Sequence, residues 1–411
     1  MIQTNKPQKL IALSLIWLVG VYVLIFALCS YASFNEKRNI KNRTEDLIAS
    51  LHIDFKKSTF TNISMIQNMR YIPPPKIMKP GSLVKSLFMG RQLNQETIEQ
   101  LKLVIETYKN DLEGADLSNT NLAGAQLSQA NLSTANLTNT NFSGSNLRKA
   151  NLESATLNKT KLSKTLLKAA NLKGSHLSNL NLKNLNLKAA NFEKAQISKV
   201  NFENAHVEKS IFFKTHILDT TFKGAQLIQA NFSDAILAHV NLHDANLTMS
   251  RIQNTRLSKN ILTNVNLHQS TIIKTDLSKA TLEETDFSNA VLADVLFIGS
   301  TLTLANFEQA SLTRVNFSNA NLQKASFHNA KILNSNLRKA NFKRGNFKNA
   351  VFHKSDFDGT LLDQADLRKA DLSEAVNLTC AQFASAITDQ TTIFPPNVKT
   401  QWAADNSLEC N

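Results

Sequence analysis

The side chains best equipped for chemistry in this 411-residue chain include nine histidines, three cysteines and 32 carboxylates. Their spacing argues against their use. No glycine-rich loop precedes a Lys-Ser or Lys-Thr pair to cradle phosphate, no Gly-x-Ser-x-Gly elbow presents a nucleophile, and no Cys or His pairs stand at metal-ligand spacing. His239 and His243 are four apart, which aligns two ligands only on a helix. The reading therefore assigns no catalytic, cofactor-binding or metal-binding residue, and no cofactor. Two other groups stand out as candidates for binding. Arg148, Lys168 and Lys188 are spaced 20 apart within a stretch, Arg148–Lys199, holding 11 basic and two acidic residues. Phe213, Leu218, Ile273 and Ile298 are apolar at positions where the surrounding pattern is polar.

That pattern counts in fives. From Leu112 to Leu372 every fifth residue is Leu, Phe, Ile or Val, 53 positions in succession. Two residues before the centre there is usually a small side chain, as in Ala115, Thr120 and Ala125; one before it there is commonly Asn or Asp, as in Asp116, Asn121 and Asn131. A fixed period decides architecture. Five steps of an α-helix turn by ~500°, so the centres would spiral around every side. In a straight strand, centres five apart point to opposite faces, and no strand runs to such length. What remains is a chain that bends once per repeat and returns each centre to one interior.

The run Ala115-Asp116-Leu117 and Ala130-Asn131-Leu132 resembles the pentapeptide-repeat family, and the resemblance covers residues 111–376. It implies an all-β solenoid, a right-handed quadrilateral β-helix with four pentapeptides per coil and about 13 coils here. Phenylalanine spacing supports a 20-residue coil independently: Phe192, Phe212 and Phe232 form one column, Phe202 and Phe222 another, and Phe287, Phe307, Phe327 and Phe347 a third, with Phe297 and Phe317 half a coil away. Leu180 and Leu185 replace the small residue, Asn260 puts an amide there and Gly345 leaves a gap, so local widening or a bend is expected near them. On such a coil His176 and His216 lie about 10 Å apart along the axis, too far to share an ion. The Asn and Asp before the centres suit corner hydrogen bonds better than acid–base work.

The flanks complete the plan. Residues 1–9 are a basic tail carrying Lys6 and Lys9, and 10–33 are uncharged and almost wholly apolar, long enough for a transmembrane helix. The alternative is a cleaved signal ending near Ser30-Tyr31-Ala32. Basic residues stand on both sides of the span, so orientation stays open. Residues 34–93 form a polar juxtamembrane segment and Pro-rich linker, and 94–110 a capping helix with Ile98, Leu101, Val104 and Ile105 on one face. Residues 377–411 close the solenoid with a short helix, Thr379–Ile387, and a loose tail from 403. Cys380 and Cys410 can pair only in an oxidising compartment.

The expected function is non-enzymatic: a single-pass protein, at the bacterial inner membrane, displaying a rigid rod as a spacer or protein-binding scaffold, with homo-oligomers possible. Net charge is +14. Members of the resembled family that confer quinolone resistance mimic duplex DNA and bind topoisomerases, which requires an acidic rod, so a basic one disfavours that reading. Anionic lipid or nucleic acid is a further alternative for the basic face, though outward aromatics for stacking on bases are lacking there. A hydrolase hidden in 34–110 is disfavoured by the absence of a nucleophile and base.

Overall fold

The computed structural model describes residues 109–402, the helical positions Lys102, Ile105 and Glu106, and the backbone of 408–410. The chain divides into two compact units, 1–77 and 78–411, and every described residue belongs to the second. The expected span at 10–33 and the segment 34–93 lie outside the described residues. Among the described residues no helix is long and apolar enough to cross a membrane.

Residues 20 apart pair in parallel, and they do so on four ladders five residues apart. Asn131↔Asn151 opens side A, Asp116↔Asn136 side B, Asn121↔Asn141 side C and Gln126↔Asn146 side D. Three-residue strands form on two sides only. Side B carries β1 (Thr156–Asn158), β2 (His176–Ser178), β3 (Gln196–Ser198), β4 (His216–Leu218) and β5 (Ile236–Ala238). Side A carries β6 (Arg251–Gln253), β7 (Thr271–Ile273), β8 (Val291–Ala293), β9 (Ser311–Thr313), β10 (Lys331–Leu333), β11 (Val351–Asp356) and β12 (Asp371–Val376). From Thr156 to Val376 this β-solenoid makes about 11 turns, and single-residue bridges carry the stack back to Asp116.

Each corner follows from local chemistry. At Leu117–Thr120 the Thr120 amide donates to Leu117 O (3.2 Å) and Asn119 has φ 59°, the geometry of a type II turn. The residue before the centre ties the corner twice. Asn141 Oδ1 accepts from the Ser143 amide (3.0 Å), and Asn141 Nδ2 donates to Asn121 Oδ1 on the coil beneath (3.0 Å). Inside, buried Thr hydroxyls at the small positions satisfy carbonyls of the previous coil, as Thr140 does with Leu117 O (2.7 Å). The corner Asn and Asp are thus structural, as their position suggested.

The phenylalanine columns form as the 20-residue spacing requires. Phe192 and Phe212 stack at 4.8 Å and 4°, Phe212 and Phe232 at 4.6 Å and 2°, while Phe202 meets Phe212 edge-on at 6.5 Å and 81°. The ladder spacing imposes the stacking; the opposing columns supply the edge-to-face contacts that aromatic quadrupoles prefer. Phe287 and Phe307 repeat the arrangement at 4.7 Å, but a quarter-turn round the coil. The corners shift with them. After Leu157, Leu177, Ile197, Ile217 and Leu237 the turn lacks its i→i+3 hydrogen bond; from Ile252 onward the open turns move to side A.

Asn260 sits at this change of register. Its side chain is 1% exposed. Oδ1 accepts the Val240 amide (2.7 Å) and Nδ2 donates to Leu237 O (2.9 Å), so one amide replaces the turn bond that Leu237–Val240 lacks. A cavity of about 10 Å³ lies beside it, lined by Phe232, Leu237, Ile252 and Thr255 among others. Leu and Ile fill every centre between Phe232 and Phe287, and they leave this space between the two aromatic runs.

Leu180 and Leu185 widen the stack. Opposite them no backbone bond joins the amides of Asn181 and Asn186 to Thr160 O and Thr165 O, and the amides of Leu162, Lys164 and Leu167 lack their carbonyls on the next coil. The bridges Lys161↔Asn181 and Leu166↔Asn186 are correspondingly missing from ladders that are otherwise continuous here. Gly345 differs from expectation, since it leaves no gap. Phe347 Cε2 and Phe342 O stand 2.9 and 3.0 Å from where its Cβ would be, and the two rings meet at 5.2 Å and 76°. The glycine makes room for two phenylalanines on adjacent sides.

Both described ends are lidded. Ile105 is buried against the first coils, and Glu106 Oε1 accepts the Gln126 amide (2.7 Å), supplying a partner where no earlier coil exists. At the other end α1 (Cys380–Phe383) is shorter than the helix expected over 379–387. Gln382 Nε2 donates to Phe357 O, and Phe383 packs on Phe394 at 4.7 Å. Ile387 and Ile393 add the last rungs opposite Asp366 and Asp371. Residues 408–410 are not part of a loose tail: β13 (Thr400–Trp402) pairs antiparallel with β14 (Leu408–Cys410). Cys380 is disulfide-bonded.

Candidate interaction surfaces

Side D carries the basic column on consecutive coils: the Lys149 amide donates to Lys168 O (3.0 Å) and the Ala169 amide to Lys188 O (2.8 Å). Arg148 and Lys168 are exposed, with no ion pair among the described residues. Lys188 is half-buried and bonded to Glu208 at 3.0 Å on the next coil. Lys183–Glu203 (3.0 Å) and Lys173–Glu193 (3.3 Å) repeat the motif on sides C and A. A row of glutamates therefore closes the basic stretch. Burial alone would push the Glu208 carboxyl up, but bonds from its own backbone amide, Lys188 and His206 outweigh that and hold it below the usual carboxylate range. Lys188 accordingly belongs with the ion pairs, while Arg148 and Lys168 are free to meet a partner.

The four apolar candidates separate into two groups instead of one patch. Phe213 is half-buried with Lys214 Nζ 5.0 Å from its ring centroid, and Leu218 on the next side of the same coil is 42% exposed. The register places Leu218 against Ala238, and His216 against Ile236. Ile273 pairs with Ala293, and Thr271 with Val291; Ile298 lies round the corner on side B of that next coil. Arg251, Gln253 and Arg256 occupy the coil between the groups. Ile273 and Ile298 are half-buried; the more exposed neighbours are Ile211, Ile236, Val291 and Leu296. Those four precede a centre, whereas attention to residues after the centre passed over them. The available signal was an aliphatic side chain in columns made mostly of polar residues.

Several histidines are taken up by surface bonds: His239 Nδ1 with Asp219 (3.1 Å), His353 Nδ1 with Glu374 (2.9 Å), His268 Nδ1 with Ser288 Oγ (2.8 Å). His176 and His216 are separated by Gln196 in the β2–β3–β4 register. Among the described residues no three His, Cys, Asp or Glu converge to hold a metal ion.

The profile of the family described as pentapeptide repeats matches eight stretches, 111–133, 130–168, 165–204, 219–254, 250–289, 290–329, 320–359 and 346–387. The chain belongs to the pentapeptide-repeat family. Among solved structures it is similar to HetL, a pentapeptide repeat protein involved in heterocyst differentiation regulation from the cyanobacterium Nostoc sp. strain PCC 7120. Identity is 24%, over 49% of this chain and 88% of that one, with a TM-score of 0.28. It is also similar to QnrB1, a plasmid-mediated fluoroquinolone resistance protein, at 14% identity over 52% and 90% of the two chains, TM-score 0.28. A pentapeptide repeat protein of the Arabidopsis thaliana thylakoid lumen matches at 24% identity over 26% and 62%, TM-score 0.13. No curated protein matches the chain.

Proposed function

We propose that this pentapeptide-repeat protein is a non-enzymatic scaffold, held at a membrane by a single span over residues 10–33, whose rod docks a protein partner. The observation that carries the docking reading is the pair of apolar groups on the regular strand faces, Phe213 with Leu218 and Ile273 with Ile298, together with their exposed neighbours Ile236 and Val291. Exposed apolar clusters on a rigid surface mark interfaces. The parallel ladders make the surface rigid, so a partner meets it without ordering cost. In a solenoid each coil touches only its neighbours, which leaves four long outer sides for contacts and no natural cleft for catalysis.

The disulfide at Cys380 supports placing the rod on the oxidising side of the bacterial inner membrane, with the short tail bearing Lys6 and Lys9 inside. A photo-crosslinking residue at Phe213 or Ile298 tests the docking reading in cells. The expected result is one discrete adduct from each position, weakened by Leu218→Lys and Val291→Lys respectively, and none from the exposed Glu283 on side C. Adducts of equal yield from all three positions would exclude a specific surface. A topoisomerase-directed role has less support, because the rod offers paired lysines and free basic side chains where a DNA mimic needs carboxylates.

A further inference from the structure

Sides C and D of four successive coils, residues 121–130, 141–150, 161–170 and 181–190, hold no acidic residue and seven cations: Arg148, Lys149, Lys161, Lys164, Lys168, Lys183 and Lys188. Lys183 and Lys188 spend their charge on Glu203 and Glu208. The other five are exposed and have no ion pair among the described residues. They surround an exposed leucine. Leu166 is 37% exposed on side D between Lys164 and Lys168, and its ladder neighbour beneath is Asn146, beside Arg148.

We infer that this face, the C/D edge of coils 141–170, lies against the anionic headgroups of a lipid bilayer. Three observations favour lipid over the other polyanions. Nucleic acid bound without sequence preference stacks on aromatic side chains, and the outward positions of these four coils include none. An acidic protein would bury Leu166 only with an apolar counterpart, and the cations leave a single aliphatic contact for it. A bilayer interface takes both features at once: lysines extend to the phosphates while a short aliphatic side chain enters the headgroup boundary. The position within the chain fits as well. The basic face occupies early coils of the rod, and 1–77, with the apolar run 10–33, precede it. The inference deepens the membrane reading above but does not depend on the span, since a peripheral rod would use the same face.

The test uses the full chain with an environment-sensitive fluorescent amino acid at Ser163, on side C of the face, or at Ser278 on side B as a control. The protein is mixed with phosphatidylglycerol/phosphatidylcholine vesicles or with phosphatidylcholine vesicles, each doped with a brominated quencher lipid. The expected result is quenching at 163 only, only with phosphatidylglycerol, and lost near 1 M salt, where screening reaches down to about 3 Å. Replacing three exposed cations, Lys161→Gln, Lys164→Gln and Lys168→Gln, lowers the docking constant roughly 100-fold if each near-surface cation counts as it does elsewhere. An unchanged circular dichroism spectrum verifies that the triple variant is folded. No quenching at 163, equal quenching with phosphatidylcholine, or equal quenching at 278 overturns the proposal. So does a response to a duplex oligonucleotide without any response to vesicles. Quenching at 163 in protein that vesicle flotation at high salt fails to retain upholds the basic face and removes the span instead.

Discussion

Asn260 offers the sharpest test of how this solenoid is held together. The open turn after Leu237 leaves the Val240 N–H and the Leu237 C=O without each other, and both are bonded only by the Asn260 amide, at 2.7 and 2.9 Å in a dry interior. Asn260→Leu keeps the branched heavy-atom skeleton and removes both partners. Each orphaned buried group costs about 1–3 kcal/mol, so roughly 2–6 kcal/mol is lost. Burying leucine in place of an amide returns about 1–2 kcal/mol, and the neighbouring cavity can absorb the change in shape. The net expectation is a destabilisation of about 1–4 kcal/mol. Asn260→Thr should cost much less, because a hydroxyl at the equivalent place on side A, that of Ser355, does the same double duty, accepting from the Ser335 amide (3.4 Å) and donating to Ile332 O (3.1 Å). The assay is equilibrium urea unfolding followed by circular dichroism, with amide exchange at Val240 as the local readout. In an array of coils the loss propagates to neighbours, and the transition can split at this point. If the leucine variant unfolds at the same urea concentration as the parent and Val240 exchanges no faster, the argument that this amide substitutes for a turn bond is refuted.

Three further outcomes follow from the geometry. Gly345→Ala drives a Cβ into Phe347 and Phe342 O, and overpacking of that kind should cost about 1–3 kcal/mol in the same unfolding assay. The amides of Asn181 and Asn186 should exchange faster than their ladder neighbours Asn141 and Asn146, which are bonded at 2.9 and 2.8 Å; Leu180→Ala with Leu185→Ala should slow them by letting the coils close. The carboxyls of Glu208, Asp363 and Asp366 are lowered in the folded chain, Asp363 by its bond from Lys343 and Asp366 by its bonds from Arg368. A lowered folded-state pKa gives stability that is full above the unfolded value and lost as pH falls through the folded one, so the urea midpoint should drop between about pH 5 and about pH 3. A midpoint flat across that range would contradict the contribution of these pairs.

Much of the candidate surface was legible in the sequence, and the reason is periodicity. Arg148, Lys168 and Lys188 could be placed on one column because every coil has the same length. What the spacing could not reveal is that Lys188 is taken by Glu208, since pairing depends on which rotamers reach across the ladder. Nor did it show that Phe213 with Leu218 and Ile273 with Ile298 form separate groups, because the arginines between them matter only once the corners are set in space. Leu180 and Leu185 announced a widening that the missing ladder bonds bear out. Gly345 announced a gap that two phenyl rings fill.

The amino-acid order by itself determined the coil. A centre every fifth residue, a small side chain two before it and an asparagine one before it leave the backbone one way to bury the first, pack the second and bond the third. Only the tertiary structure decided which sides carry true strands, where the open turns pass from side B to side A, and what an asparagine is doing in the core at 260. Those outcomes depend on how neighbouring coils share space and hydrogen-bond partners: the period names the residue 20 positions above, but not the rotamer it adopts or the backbone group it reaches.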